Sequence, residues 1–190
     1  APSFQWFKNN VVIAGATRAT LTLAGVQSAD AGSYTLTATN SLGSITTTAV
    51  TLAVTLPDGA DNFASRASLG GSSAAVTVTN SAATKETGEP NHAGNVGGKS
   101  VWWTWTAPQT GQVTVDTIGS NFDTLLAVYT GGAVASLTPG ASDDNSGAPG
   151  GSSKLTFAAV AGTTYQIAVD GASGASGIVT LSLGYAYAFA

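Results

Sequence analysis

Apolar and polar residues alternate along much of this chain with the two-residue period of a β-strand whose faces meet different surroundings. Thr20-Leu21-Thr22-Leu23, Tyr34-Thr35-Leu36-Thr37 and Val76-Thr77-Val78-Thr79 follow the period cleanly. Further strands are predicted over 101–106, 112–117, 124–129, 154–157, 165–169 and 178–183. Asn9-Asn10, Asn40-Ser41, Gly70-Gly71, Gly97-Gly98, Gly131-Gly132 and Gly150-Gly151 supply turns between them. Helical periodicity hardly occurs, so the pattern predicts an all-β fold of sandwiches or barrels. A boundary is expected at Leu56-Pro57-Asp58-Gly59, where a strand-like run ends and the residue vocabulary changes. Segment 1–56 is too short for a complete sandwich of ~100 residues. Segment 57–190 is long enough for eight or nine strands.

Composition changes the picture of the surface more than that of the core. Apolar residues make up 43% of the 190, so a core can form, but charged residues make up only 8%, about a third of the usual share. The surface must therefore be built from Thr, Ser, Asn and Gly, which suits work outside the cell. Ten carboxylates against six basic residues give a net charge of −4, and without a basic run a nucleic-acid partner has no electrostatic footprint. No apolar stretch reaches the ~18 residues of a membrane helix. Cysteine is absent, which is compatible with either redox compartment. The chain begins at Ala1 rather than Met, so a processed product or a part of something longer is expected.

In the first segment, Phe4-Gln5-Trp6-Phe7-Lys8-Asn9-Asn10 sets a Trp in a strand before a turn, and Asp30-Ala31-Gly32-Ser33-Tyr34 follows. The pairing resembles the I-set-like immunoglobulin fold of bacterial surface proteins, in which Asp-x-Gly-x-Tyr forms the tyrosine corner. The resemblance implies Trp6 on strand C, residues 20–23 on strand E, 34–39 on strand F and 45–56 on strand G. Leu36 stands where vertebrate members carry a core cysteine. Nothing in the chain corresponds to strands A and B, so segment 1–56 is expected to expose an inner face and an unpaired edge.

In the second segment, Glu89-Pro90-Asn91-His92-Ala93-Gly94, Val101-Trp102-Trp103-Thr104-Trp105, Phe122-Asp123-Thr124-Leu125-Leu126 and Tyr165-Gln166-Ile167-Ala168-Val169-Asp170-Gly171 occur in that order. This string resembles the bacterial pre-peptidase C-terminal type of β-jelly-roll. Such domains are appended to secreted enzymes and giant surface proteins, are not themselves catalytic, and in several relatives bind calcium or polysaccharide. Among the tryptophans, Trp103 is expected opposite Trp102 and away from Trp105. An exposed Trp103 would be the ring that grips a sugar; all three buried in a core is the plainer alternative.

Asp143-Asp144-Asn145 is the densest oxygen cluster, with Asp123 at a strand start and Glu86 and Glu89 in a loop. Calcium takes six to eight hard oxygens. The Phe-Asp-x-Leu segment with a later Ser-Asp loop also resembles the calcium arrangement of CUB domains. By that analogy Asp123, Asp143 and Asp144 meet, joined by Glu89 or Glu86, to hold a structural calcium. Asp and Asn also populate turns simply to cap backbone groups.

No catalytic constellation emerges. His92 is the sole histidine, which falls short of the usual zinc sites and leaves a hydrogen bond to a backbone carbonyl as its expected role. There is no Gly-x-Ser-x-Gly elbow, and the chain reads as non-enzymatic. At the C-terminus, large residues occupy every odd position from Leu181 to Phe189. Tyr185, Tyr187 and Phe189 thus form one face of a strand suited to completing another sandwich. The whole predicts a partial immunoglobulin-like sandwich over 1–56 and a jelly-roll sandwich over 57–190. The expected role is a secreted or cell-surface structural or adhesive protein that self-associates as a filament subunit or joins neighbouring repeats, in either case by strand complementation. The alternative is a polysaccharide-binding accessory module of a secreted hydrolase.

Overall fold

The computed structural model describes residues 1–24, 26, 30–147 and 150–186. The chain divides into two compact units, Ala1–Leu56 and Pro57–Ala190.

The first unit is one antiparallel sheet. Strands β1 (Ser3–Lys8), β2 (Val11–Val12), β3 (Gly32–Asn40) and β4 (Gly43–Thr46) lie in the order β2-β1-β3-β4, and β5 (Val50–Leu52) also pairs with β3. Asn9 and Asn10, both in the left-handed region at φ 48° and 65°, make the tight turn that joins β1 to β2. The Tyr34 hydroxyl donates to the Asp30 carbonyl at 2.7 Å, which is the tyrosine corner, and the Trp6 Nε1–H donates to the Arg18 carbonyl at 3.0 Å. Residues 20–23 form no strand, contrary to the alternation. Leu21 and Leu23 do turn to the sheet while Thr22 faces solvent, but among the described residues no strand lies beside them to complete a hydrogen-bonded ladder. The predicted strand G is interrupted too, with 47–49 separating β4 from β5.

The second unit is a two-sheet sandwich. Its strands are β6 (Ala67–Leu69), β7 (Ser73–Thr79), β8 (Val101–Thr106), β9 (Gly111–Asp116), β10 (Thr124–Thr130), β11 (Thr138–Asp144), β12 (Lys154–Ala159), β13 (Thr164–Gly171) and β14 (Ile178–Tyr185). One sheet has the order β11-β10-β13-β8-β6 and the other β12-β9-β14-β7. All pairings are antiparallel except β6 with β8. The β9, β12 and β14 strands bury alternate residues, as expected of a sheet with one wet face. Between the sheets lies the main core, including Trp103, Trp105, Leu126, Val128, Ile167 and Leu181.

Strands β8, β10 and β13 are instead buried almost continuously, because their sheet has a second core on its outer face. There Phe63 packs edge-to-face on Trp102 at 5.2 Å, together with Ala127, Tyr129 and Ala168. Arg66 ties this covering segment down, its guanidinium 4.1 Å from the Phe63 ring centre and its Nε donating to Gln166 Oε1 at 2.7 Å. Two expectations fail here. Trp103 and Trp105 share the inner face, as residues two apart in an unbulged strand must, and Trp102 alone points outward. Nor does Trp103 offer an exposed ring: it is only 2% accessible, and all three tryptophans are buried, as the plainer alternative has it.

Hydroxyls pair across strands on the solvent side of both units. Thr37 meets Thr46 at 2.8 Å, Thr39 meets Ser44 at 2.7 Å and Thr106 meets Thr164 at 2.9 Å.

Candidate functional site

Two polar groups lie on the five-stranded sheet of the second unit. The first lies at one strand end, where Asp123, Asp143 and Asp144 are near enough to feel one another's charge, although among the described residues their carboxylates do not converge as a ligand group. Antiparallel register sets Asp144 opposite Leu125 and Asp143 opposite Leu126, which brings both to the strand end that Asp123 precedes. Gly151, at φ +84°, passes so close that a Cβ there would lie 2.8 Å from the Asp123 Cα. Asp143 Oδ2 accepts the backbone N–H groups of Ser146 at 2.9 Å and Lys154 at 2.8 Å. Burial raises this carboxyl, but hydrogen bonds from Ser146, Lys154 and Asp144 outweigh it and hold Asp143 below its ordinary value. Asp144 accepts from Asn95 Nδ2 at 2.5 Å and from Asn145 Nδ2 at 2.7 Å. Burial and the charges of Asp123 and Asp143 nevertheless raise its carboxyl above the ordinary value. The cluster is thus a place where negative charge is in excess.

Glu89 is not part of that cluster. It belongs to the second group, beneath the segment between β7 and β8. Its Oε1 meets His92 Nε2 at 2.9 Å and its Oε2 accepts the Glu86 N–H at 2.8 Å. His92 Nδ1 meets the Tyr129 hydroxyl at 2.8 Å. His92 is therefore held by two side chains, not by the backbone carbonyl expected for it, and it is 0% exposed. Burial raises the Glu89 carboxyl, yet hydrogen bonds from His92, Ser100 and Glu86 leave it below its ordinary value. Burial and the Glu89 charge push the Tyr129 hydroxyl up to about 12, so it keeps its proton at neutral pH.

Asp170, which the sequence reading quoted without giving it a role, completes this group. Its Oδ1 accepts the N–H groups of Gly98 at 3.0 Å, Lys99 at 2.7 Å and Gly171 at 2.7 Å. Gly97 is required beside it, because a Cβ there would fall 1.6 Å from Asp170 Oδ2. A carboxylate inside a strand otherwise buried from Tyr165 to Gly171 was the available signal. Above Tyr129 lies a shallow groove of about 190 Å³, bordered by Asn91, Pro139 and Ser142.

Of the three tail residues, Tyr185 is not free to leave its domain. It is the last residue of β14, 8% exposed, with its hydroxyl donating to the Gln109 carbonyl at 2.5 Å and its ring 6.0 Å from that of Trp105. Tyr187 and Phe189 lie outside the described residues. In the first unit, an apolar hollow of about 300 Å³ opens on the sheet among Trp6, Leu21, Leu23, Tyr34, Val50 and Leu52.

Comparison with protein families agrees with this architecture. Residues 1–54 match the immunoglobulin I-set domain, and residues 99–171 match the bacterial pre-peptidase C-terminal domain. No curated protein matches the chain. Both are non-catalytic domain types, typical of secreted or extracellular proteins, and no helix among the described residues is long and apolar enough to cross a membrane. The chain therefore carries, in that order, a segment similar to the immunoglobulin I-set domain and a segment similar to the bacterial pre-peptidase C-terminal domain.

Proposed function

We propose that this chain is a non-enzymatic structural or adhesive module of an extracellular assembly, joined to its neighbours by strand complementation at the immunoglobulin-like sheet. The observation that carries the reading is the apolar hollow on that sheet, beside an alternating segment with no strand next to it among the described residues. An added strand along residues 20–23 gains main-chain hydrogen bonds and places alternate side chains over Trp6 and Tyr34. The donor is a neighbouring copy or repeat, and because Tyr185 is held in its own domain, a donor segment in the tail begins after it. Contacts of this head-to-tail kind build filaments when they do not close.

Negative-stain electron microscopy and light scattering of the full chain across a concentration series test this. Concentration-dependent oligomers are expected, and both Leu23→Glu and deletion of 186–190 reduce them. Oligomers unaffected by Leu23→Glu rule out the open sheet as the joint. A structural calcium at Asp123, Asp143 and Asp144 belongs to the same proposal, supported by the excess negative charge there. The groove over Tyr129 favours a second reading, a polysaccharide-binding accessory module, for which retention on an insoluble glycan lost in Asn91→Ala is the check.

A further inference from the structure

We propose that Glu89, His92 and Asp170 form a buried binding site for one divalent cation of the zinc class. This goes beyond the assembly role and does not depend on it. One ligand atom from each residue lies within 4.8 Å of the other two, and all three residues are buried. They come from the segment before β8 and from β13, so folding is what brings them together. One imidazole nitrogen and two carboxylate oxygens make a mixed donor set suited to a zinc-class ion. Three donors are too few for calcium, which takes six to eight oxygens.

Each ligand is already oriented by a second contact. Three backbone N–H groups hold Asp170 Oδ1, while Oδ2 accepts only the Gly98 N–H, at 3.0 Å. The Glu86 N–H fixes Glu89 from its far oxygen. Tyr129 stands 2.8 Å from His92 Nδ1, where a metal-bound imidazole places the partner of its other nitrogen. With Nε2 turned to the metal, the imidazole carries its proton on Nδ1 and donates it to the Tyr129 oxygen.

Two further observations point the same way. Buried carboxylates are ordinarily paired or metal-bound, yet among the described residues His92 is the only potential cation within 4.0 Å of Glu89 or Asp170. Independently, Trp102 is fully buried with its ring 5.3 Å from that of His92, and its Nε1–H has no acceptor.

The test unfolds the full chain in chelator, refolds it with or without Zn²⁺, desalts it and measures bound metal by mass spectrometry. One zinc per chain and a higher melting temperature are expected. Glu89→Gln and Asp170→Asn should lose most of the zinc, Tyr129→Phe should weaken binding about 10-fold, and Asp143→Asn should retain it. Zinc-edge X-ray absorption on the unaltered chain reads the ligands without relying on any variant, and one imidazole among oxygen ligands is expected. No retained zinc, an all-oxygen shell, or zinc held equally well by Glu89→Gln overturns the site.

Discussion

At the scale of single residues, the two acidic groups differ in how their charge is compensated. Asp170 and Glu89 are buried and met by directed donors. Asp144 is half-buried beside two like charges and is raised above its unfolded value. The folded state therefore holds the Asp144 proton more tightly than the unfolded state does. Its favourable contribution is complete below an unfolded value near 3.8 and disappears as pH rises through the higher folded value, leaving a penalty at neutral pH. Asp144→Asn should thus raise the melting temperature at pH 7 by about 1–2 °C and change it little at pH 3. Calcium should stabilise the unaltered chain and not the variant. A melting temperature of the unaltered chain indifferent to millimolar calcium sinks the calcium proposal, whatever the variant does.

At the scale of elements, alternation specifies which side of a residue is apolar but not whether a neighbouring strand exists. Residues 20–23 have the pattern of a strand and lack the ladder. Their amides should therefore exchange with solvent far faster than those of β3 that bond to β1, and slow down when a partner strand docks. Protected amides at 20–23 in the isolated monomer contradict the open-edge reading. The same limit explains what else was and was not legible. Alternation located most strands of the sandwich, and the Asp-x-Gly-x-Tyr motif located the corner at Tyr34. Strand register carries Asp143 and Asp144 to the end of the sheet that Asp123 precedes, but among the described residues these three carboxylates do not converge as a ligand group. Glu89 was misplaced because it lies in an irregular segment, where no period relates sequence position to direction. Trp103 was misjudged because alternation says that Trp102 and Trp103 face opposite ways but not which faces are dry: Trp103 points into the core between the sheets, and Phe63 and His92 cover Trp102 on the other face.

At the scale of the whole molecule, sixteen charged side chains leave 190 residues with little electrostatics to screen. Melting in 0.05 M and 1 M sodium chloride, without divalent ions, should differ by no more than about 2 °C, since exposed ion pairs are few and individually weak. A larger shift locates it in the aspartate cluster if Asp144→Asn abolishes it, and refutes the view of a charge-poor surface if it persists. The cross-strand hydroxyl pairs, Thr37 with Thr46 and Thr106 with Thr164 among them, have a consequence for crowding. Copies of this molecule brought side by side meet as nearly uncharged surfaces, each carrying only −4, with fields that fade within about 8 Å at physiological salt. Mutual repulsion then sets almost no lower bound on their spacing, so a dense coat or bundle of such modules can be as tight as their shapes allow.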